Sequence, residues 1–246
     1  MKIAIAQIQP LKGDTNANRK KHERIIQEAI NNQVNALFFS ELSLTSYEPE
    51  LAKESVVQRD NPIYFSFQQL SDQHNLLIGI GAPTPFTLGV HISMLVFKPY
   101  IPVSIYHKQQ LHDDELPFFV RGSKQLIIKT NNYSIAPAIC YESLQVSHAA
   151  QAVDLGATIY VASVAKAQKG IEKAKQHYPL IAKQYQLPVL MANCVGPCDN
   201  FVGAGQSAVW NIQGEMISHL SEEEEGIIIY KTEKGTAEQV ILSNHI

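Results

Sequence analysis

The sequence of 246 residues has few cysteines, no strongly basic stretch and no long apolar run. Its three cysteines, a low and odd number, argue against a disulfide framework. Cys194 and Cys198 are separated by three residues, and no second cysteine pair or spaced histidine pair completes a zinc site. We therefore expect a protein that is held together by an apolar core and that binds no metal ion.

Charge and hydropathy exclude two further classes of partner. The formal net charge is −3 and no basic stretch could neutralise phosphates, so we expect no nucleic-acid partner. Every apolar run falls short of the roughly 18 residues that a membrane-spanning helix needs. The opening segment MKIAIAQIQP alternates polar and apolar residues and lacks a cleavage site, which favours a first strand over a signal peptide. We expect a cytoplasmic protein with no membrane partner.

Several familiar functional motifs are absent or incomplete. No serine lies in a Gly-x-Ser-x-Gly elbow, which argues against a serine hydrolase. The segment GAGQS lacks the lysine and the spacing of a phosphate-binding loop. His112, Asp113 and Asp114 form one short polar cluster, which is more typical of a surface loop than of a metal site. The four acids Glu222–Glu225 indicate a solvated turn before a strand.

Strand-like and helix-like segments alternate along the chain. Helices are predicted at residues 18–33, 63–74, about 141–156 and 170–186, the last of which contains Pro179 and should be kinked or split. Strands are predicted at residues 2–8, 35–42, 76–84, 92–98, 103–108, 125–140, 157–164, 188–195, 206–213 and 225–231. Residues 125–140 form a predicted hairpin that turns at Asn131 and Asn132. No linker or repeat divides the chain, so we predict one α/β domain over residues 1–246, with sheets covered by helices.

A charged or reactive residue ends three of the apolar runs. Glu41 ends NALFFSE, Lys108 ends VSIYHK, and Cys140 ends YSIAPAIC. Strand ends that converge at one edge of a sheet are common places for sites. A carboxylate can take the proton of a thiol, and a lysine ammonium can stabilise first the thiolate and then an oxyanion. Such a trio would attack a carbonyl or nitrile carbon and release ammonia or an amine.

Taken singly, each of the three residues has a commoner structural interpretation. A buried cysteine usually packs in the core, a lysine at a strand end is usually solvated, and a glutamate there often only marks where the strand exits. The three residues are 67 and 32 positions apart, so only folding could bring them together. Spacing alone leaves both interpretations open.

The order of several motifs is more specific than any one of them. FFSELSLTSY, YHKQQL, ICYES, MANCVG and GQSAVWNIQGE follow one another, and with them the chain resembles the carbon–nitrogen hydrolase family (nitrilase superfamily) over nearly its whole length. The resemblance implies a nitrilase-like α/β fold, a four-layer αββα sandwich, and places Glu41, Lys108 and Cys140 on the catalytic glutamate, lysine and nucleophile. It also implies no cofactor, and a homodimer or higher homo-oligomer that forms through helices near residues 144–155 and 170–186.

Further site residues follow from the same resemblance. In ELPFFVRG, Glu115 falls on the family's second glutamate, which positions the lysine or the substrate, and Phe119 and Gly122 keep the matching spacing. Tyr47 resembles an aromatic residue that lines the pocket, and a core position is an equal alternative. The backbone N–H of Tyr141 directly follows the nucleophile and is a candidate oxyanion donor.

The chain departs from the family pattern in several places, of which one bears on the substrate contacts. VASVAKAQ replaces a common Pro-Ser-Ala-Trp run, which makes Ser163, Val164 and Ala165 candidate substrate contacts, with Ala165 in the place of an aromatic residue. No arginine that could clamp a substrate follows the nucleophile. The nearest basic candidates are His148 and Lys166, for which we favour ordinary surface positions.

The expected activity is hydrolysis of a small amide or N-carbamoyl compound by water, through a thioester on Cys140. Amides are favoured over nitriles because amidases and carbamoylases are the wider part of the family that the chain resembles. The alternatives are nitrile hydrolysis, acyl transfer from the same thioester to an amine, and a non-catalytic binding module that keeps the fold. A lost residue of the trio would favour the binding module, and none is lost.

Overall fold

Two β-sheets form the centre of the computed structural model, which describes residues 1–130 and 132–242. Among these residues the first sheet has the order β15-β14-β1-β2-β3-β4-β5 and the second has the order β13-β12-β9-β8-β7-β6. The strands of the first sheet are β1 (Lys2–Gln7), β2 (Ala36–Phe38), β3 (Leu77–Phe86), β4 (Gly89–Lys98), β5 (Ile101–His107), β14 (Gly226–Lys231) and β15 (Thr236–Ile241). Those of the second are β6 (Ile128–Lys129), β7 (Ser134–Ile139), β8 (Ile159–Ser163), β9 (Val189–Ala192), β12 (Ala208–Trp210) and β13 (Met216–His219). A separate pair consists of β10 (Val195–Cys198) and β11 (Phe201–Ala204).

Helices cover the outer face of each sheet. They are α1 (Thr15–Asn31), α2 (Pro62–His74), α3 (Val146–Asp154) and α4 (Gln168–Tyr185). Buried residues of α1 and α2 pack on one face of the first sheet, and those of α3 and α4 pack on one face of the second. A third apolar cluster fills the space between the two sheets. The layers are therefore helix, sheet, sheet and helix, which confirms the predicted αββα fold class.

The pattern of strand β1 shows why its residues form a central strand. Successive side chains of a strand point to opposite faces, and here Ile3 and Ile5 join the cluster between the sheets while Ala4 and Ala6 join the cluster under α1 and α2. A strand that is buried on both faces reads as a nearly continuous apolar run. In each sheet the central strands pair in parallel. In the first sheet β2 pairs with β1 and β3, and in the second β8 pairs with β7 and β9.

Parallel pairing brings the carboxyl ends of these strands to the same edge of their sheet. Cys140 follows β7 directly and Glu41 comes three residues after the end of β2. β6 and β7 form the predicted antiparallel hairpin, while Asn131 of its proposed turn lies outside the described residues. The segment after β7 begins as a 3₁₀ helix at Cys140–Leu144, and α3 starts only at Val146, later than predicted.

Three features differ from the sequence-based expectation. Pro179 lies inside α4 without dividing it, because Tyr178, Ile181 and Ala182 continue the buried face across the proline and their packing outweighs one missing hydrogen bond. The outer strands β13 and β15, as well as the pair β10 and β11, were not predicted, since their residues are largely exposed or mixed and carry a weak apolar pattern. Of the acidic run, Glu225 is not solvated but pairs with Lys21 at 2.9 Å.

Among the described residues, no helix is both long and apolar enough to cross a lipid bilayer.

Candidate active site

The side chain of Lys108 connects two carboxylates inside the protein. Its Nζ atom donates to Glu41 Oε1 at 2.7 Å and to Glu115 Oε1 at 2.6 Å, and all three side chains are buried. Burial alone would lower the pKa of this lysine, but the charges of Glu41, Glu115 and Cys140 outweigh that effect and raise it. Lys108 is therefore held as an ammonium ion.

Glu41 has one oxygen on Lys108 and one that is unpaired. Its Oε2 atom is buried and has no hydrogen-bond partner among the described residues. Burial raises the pKa of the Glu41 carboxyl, whereas Lys108 and the Cys140 thiol act in the opposite direction. An unpaired, desolvated carboxylate oxygen beside a thiol is suited to accept a proton from it.

Cys140 starts the 3₁₀ helix with a backbone angle φ of +48°, a conformation that a residue other than glycine adopts at a cost in free energy. The thiol is partly exposed, and its Sγ lies 3.8 Å from the carbonyl oxygen of Ala165 and 3.7 Å from Nζ of Lys166. Burial and the Glu41 charge raise the pKa of this thiol to about 11, against the opposing effect of Lys166 and Lys108. At neutral pH the thiol is protonated, so attack on a substrate requires a base.

Glu115 is the second carboxylate that holds Lys108. Its Oε2 accepts the backbone N–H of His112 at 2.8 Å, and its Oε1 accepts the hydroxyl of Tyr47 at 3.0 Å as well as the lysine. Tyr47 is buried, and its ring centroid lies 5.7 Å from that of Phe201. The tyrosine whose position was left open by the sequence thus packs in the core and touches the charged cluster at the same time.

A third buried carboxylate was not assigned from the sequence. Glu142 accepts hydrogen bonds from the hydroxyl of Tyr106 and the N–H of Ile139 through Oε1, at 2.6 and 2.8 Å, and from the N–H of Gln109 and Gln110 through Oε2, at 2.6 and 3.2 Å. Burial raises the pKa of this carboxyl to about 7 despite these donors. The signal that could have revealed it is an acid placed two residues after Cys140 in an otherwise apolar stretch.

Of the other residues predicted for the site, Ala165 and Tyr141 lie at Cys140, whereas Ser163 and Val164 have contacts within the fold. Ala165 meets the thiol through its carbonyl, and Tyr141 follows Cys140 in the 3₁₀ helix with its side chain 37% exposed. Ser163 uses its hydroxyl to hold the carbonyl of Phe39, two residues before Glu41, and Val164 lies in the core beneath α3 and α4. Ser163 and Val164 therefore have structural contacts.

The surface positions favoured for His148 and Lys166 are wrong. His148 is 1% exposed, where its Nε2 lies 2.9 Å from the hydroxyl of Tyr106 and its Nδ1 lies 2.7 Å from that of Tyr160. Lys166 is 6% exposed, with its ammonium group at the Cys140 thiol.

The buried sulfur atoms of Cys194 and Cys198 lie 3.5 Å apart. In the described part of the chain, no group of three or more histidine, cysteine or acidic residues is arranged to hold a metal ion.

The fold is a four-layer α/β sandwich in which a thiol, lysine side chains and buried carboxylates lie together at the ends of strands of both sheets. Residues 2–241 match the family model described as carbon–nitrogen hydrolase. The chain belongs to this family, as its resemblance to the nitrilase superfamily indicated.

Comparisons with individual proteins agree with this assignment. The chain is 26% identical to a glutamine-dependent NAD(+) synthetase from Thermotoga maritima over 93% of its own length. It is 24% identical to a probable nitrilase from Schizosaccharomyces pombe, with 93% of this chain and 87% of that protein aligned. A solved structure of the amidase from Nesterenkonia sp. AN1, with the acetamide moiety of fluoroacetamide on its active-site cysteine, superposes with a TM-score of 0.84 at 19% identity and covers 93% of this chain and 89% of that one. The chain spans only 41% of the Thermotoga protein and 43% of a synthetase of the same name from Aquifex aeolicus.

Proposed function

We propose that the protein is a thiol-dependent hydrolase of a non-peptide carbon–nitrogen bond, with a small amide or an N-carbamoyl compound as substrate. The observation that carries the proposal is the arrangement around Lys108, which joins Glu41 and Glu115 while the free oxygen of Glu41 remains without a partner beside Cys140. A base, a cation and a nucleophile are the groups that acyl transfer through a thioester needs.

The first half of the reaction forms the thioester. Glu41 takes the proton of Cys140 as Sγ attacks the carbonyl carbon, and the resulting oxyanion is stabilised by the Lys108 ammonium and the backbone N–H of Tyr141. Glu41 then gives its proton to the nitrogen of the substrate. The carbon–nitrogen bond breaks, ammonia or an amine leaves, and the acyl group remains on sulfur.

The second half of the reaction removes the acyl group. Glu41 accepts a proton from water as the water oxygen attacks the thioester carbon, and the oxyanion again forms next to Lys108 and Tyr141. Collapse of this intermediate breaks the carbon–sulfur bond, releases the carboxylic acid and returns the proton to Cys140. Glu115 and Tyr47 take no part in proton transfer and keep Lys108 in position through their hydrogen bonds.

Three alternatives use the same groups. In nitrile hydrolysis the thiol would attack the nitrile carbon, and in acyl transfer an amine would replace water in the second half of the reaction. A non-catalytic module would bind its ligand without turnover. Three curated relatives are glutamine-dependent NAD(+) synthetases, which makes the side-chain amide of glutamine a specific compound to include among the test substrates.

Self-association is a further part of the proposal. On the outer layer formed by α3 and α4, Val146, Leu155 and Leu180 expose 52%, 51% and 64% of their surface. Apolar side chains on neighbouring helices suit an interface with a second copy of the same surface. These helices coincide with the segments through which the family resemblance implies that a homodimer forms.

The test is release of ammonia from a panel of small amides, glutamine, N-carbamoyl amines and nitriles. We expect release from an amide or carbamoyl compound by the wild type and none by Cys140→Ala. Cys194→Ala, which removes a buried thiol that takes no part in the reaction, should retain activity. Release by Cys140→Ala equal to that of the wild type, or an unreactive panel together with a Cys140 thiol inert to iodoacetamide, would reject the proposal.

A further inference from the structure

A second lysine points at the sulfur of Cys140. Nζ of Lys166 lies 3.7 Å from Sγ, and the residue is buried to 6% exposure. The backbone fixes this position, because the N–H of Lys166 donates to Asn193 Oδ1 at 2.8 Å and its carbonyl accepts Asn193 Nδ2 at 3.0 Å. Its carbonyl also accepts the N–H of Ala204 at 2.9 Å. A Cβ added to Gly170 would come within 3.1 and 3.2 Å of Cβ and Cγ of Lys166, so the glycine leaves room for the lysine's stem.

The two lysines at the site differ in their partners. Lys108 forms ion pairs with two carboxylates, whereas the ammonium of Lys166 has the thiol of Cys140 and no carboxylate as a partner among the described residues. A buried cation without an opposite charge is unfavourable in free energy. Formation of an anion on the neighbouring sulfur would remove this imbalance.

Proton transfer from Cys140 to Glu41 moves a negative charge from a group beside Lys108 to a group beside Lys166. Before the transfer the charge is on Glu41, where Lys108 neutralises it. After the transfer Glu41 is neutral, Lys108 keeps Glu115 as its partner, and the charge is on Sγ, to which the Lys166 ammonium donates a hydrogen bond at 3.7 Å. Of the two lysines, Lys166 does more to lower the pKa of the Cys140 thiol.

We propose that Lys166 is a second catalytic cation, which stabilises the Cys140 thiolate while Lys108 serves the carboxylates and the oxyanion. The inference rests on the proposed role of Cys140 as nucleophile and adds a residue to it. Lys166 keeps its three protons throughout and only donates a hydrogen bond to sulfur. The proton of the thiol passes to Glu41.

The test measures the rate at which iodoacetamide alkylates Cys140 as a function of pH, with the modified peptide quantified by mass spectrometry. In Lys166→Met, which keeps the length of the side chain and removes its charge, we expect the midpoint of the profile to rise by about one pH unit and the rate near neutral pH to fall about tenfold. Lys166→Arg keeps the charge and should stay within a few-fold of the wild type. Lys169→Met, three positions along the chain at an exposed site, is the matched control and should leave the profile unchanged.

A second reagent separates this role from substrate binding. Iodoacetate has a carboxylate next to the carbon that sulfur attacks, whereas iodoacetamide is neutral. If Lys166→Met slowed only iodoacetate and left the iodoacetamide profile at its wild-type midpoint, Lys166 would be an anchor for anionic substrates and the thiolate role would be overturned. Slowing of iodoacetamide with a shifted midpoint supports the thiolate role.

Circular dichroism and thermal unfolding establish that each variant is folded, and Lys166→Gln replaces Lys166→Met if the latter is not. Alkylation does not require turnover, so the two proposals can fail separately. A shifted profile in a protein whose Cys140→Ala variant releases as much ammonia as the wild type would retain the role of Lys166 and reject the thiol-dependent hydrolase. Cys140-dependent ammonia release together with an unshifted profile would retain the hydrolase and reject the role of Lys166.

Discussion

The carboxylate of Glu142 accepts the backbone N–H of Gln109, the residue that follows Lys108, at 2.6 Å. Glu142 itself follows Cys140 by two residues, and the same Oε2 atom also accepts the N–H of Gln110 at 3.2 Å. One side chain thus ties the segment after β5, with its lysine, to the 3₁₀ helix that starts at the nucleophile. The two segments belong to different sheets, so this contact sets the position of the cation relative to the sulfur.

The first prediction concerns this connection. Glu142→Gln places an amide NH₂ where a carboxylate oxygen accepts two N–H groups, so it should lower the free energy of unfolding by about 1–3 kcal/mol. It should also reduce kcat more than it changes KM, because the displaced groups act on the reacting atoms. Urea unfolding and steady-state ammonia release measure the two effects.

Glu222→Gln changes a carboxyl at an exposed position and is the matched control. Equal stability and equal kcat in Glu142→Gln and Glu222→Gln would show that Glu142 does not position the site.

The second prediction concerns space next to Lys108. Gly122 donates its N–H to the carbonyl of Lys108 at 2.7 Å, and a Cβ on Gly122 would lie 2.3 Å from the carbonyl oxygen of His107. Gly122→Ala must therefore move the backbone that carries the lysine, which should cost about 1–3 kcal/mol of stability and up to about a hundredfold in kcat. Ser123→Ala, at the exposed neighbouring position, should change neither quantity. Wild-type kcat in Gly122→Ala would contradict this explanation of the glycine.

The sequence predicted those site residues that stand at the ends of apolar runs or in a recognisable motif. Glu41, Lys108 and Cys140 each follow a strand, and in the folded chain Nζ of Lys108 donates to the carboxylate of Glu41. Glu115 was placed by its motif, and the structure shows it on the same lysine. Their roles in a reaction stay proposals that the measurements above address.

The positions that the sequence did not predict depend on distant partners. Lys166 is buried because Asn193 and Ala204 fix its backbone, and nothing near it in the chain signals this. His148 is buried because Tyr106 and Tyr160 supply hydrogen-bond partners from β5 and β8. Burial of a polar side chain is decided by such tertiary contacts, whereas residue type alone favours the surface.

The third prediction tests self-association through the outer helices. Leu180 lies on α4 with 64% of its surface exposed, and Leu180→Asp would place a charge in the proposed interface between two copies. Light scattering coupled to gel filtration should give the mass of a dimer for the wild type and of a monomer for Leu180→Asp. Phe65→Asp is the control, because Phe65 is 73% exposed on α2 at the other outer layer. A wild type that is a monomer would contradict the proposed interface. A dimer that persists in Leu180→Asp and is lost in Phe65→Asp would place the interface elsewhere.

The last prediction concerns a buried histidine that supports the segment of Glu41. His22 on α1 is fully buried, with Nδ1 at 2.7 Å from the carbonyl oxygen of Asn18 and Nε2 at 2.9 Å from the hydroxyl of Ser43. A carbonyl only accepts, so Nδ1 carries the proton and Nε2 accepts from the serine. Ser43 is two residues beyond Glu41, which links α1 to the end of β2.

Burial lowers the pKa of His22 from 6.5 to about 4. Between these values the unfolded chain binds a proton that the folded protein does not, so the contribution of His22 to stability is complete above pH 6.5 and is lost as the pH falls toward 4. The loss amounts to about 3 kcal/mol at most. His107 and His148, whose pKa values burial also lowers to about 4, act in the same direction, and Glu142 acts in the opposite one because its pKa is raised to about 7.

The share of His22 is therefore measured as a difference between two proteins. Urea unfolding of the wild type and of His22→Gln over this pH range should give curves that converge as the pH falls, because the glutamine variant has no buried imidazole to protonate. His74→Gln, which changes an exposed histidine of α2, controls for the substitution. Parallel curves for the wild type and His22→Gln would mean that His22 takes up its proton equally in the folded and the unfolded state. Its buried contacts with Asn18 and Ser43 would then not hold it neutral.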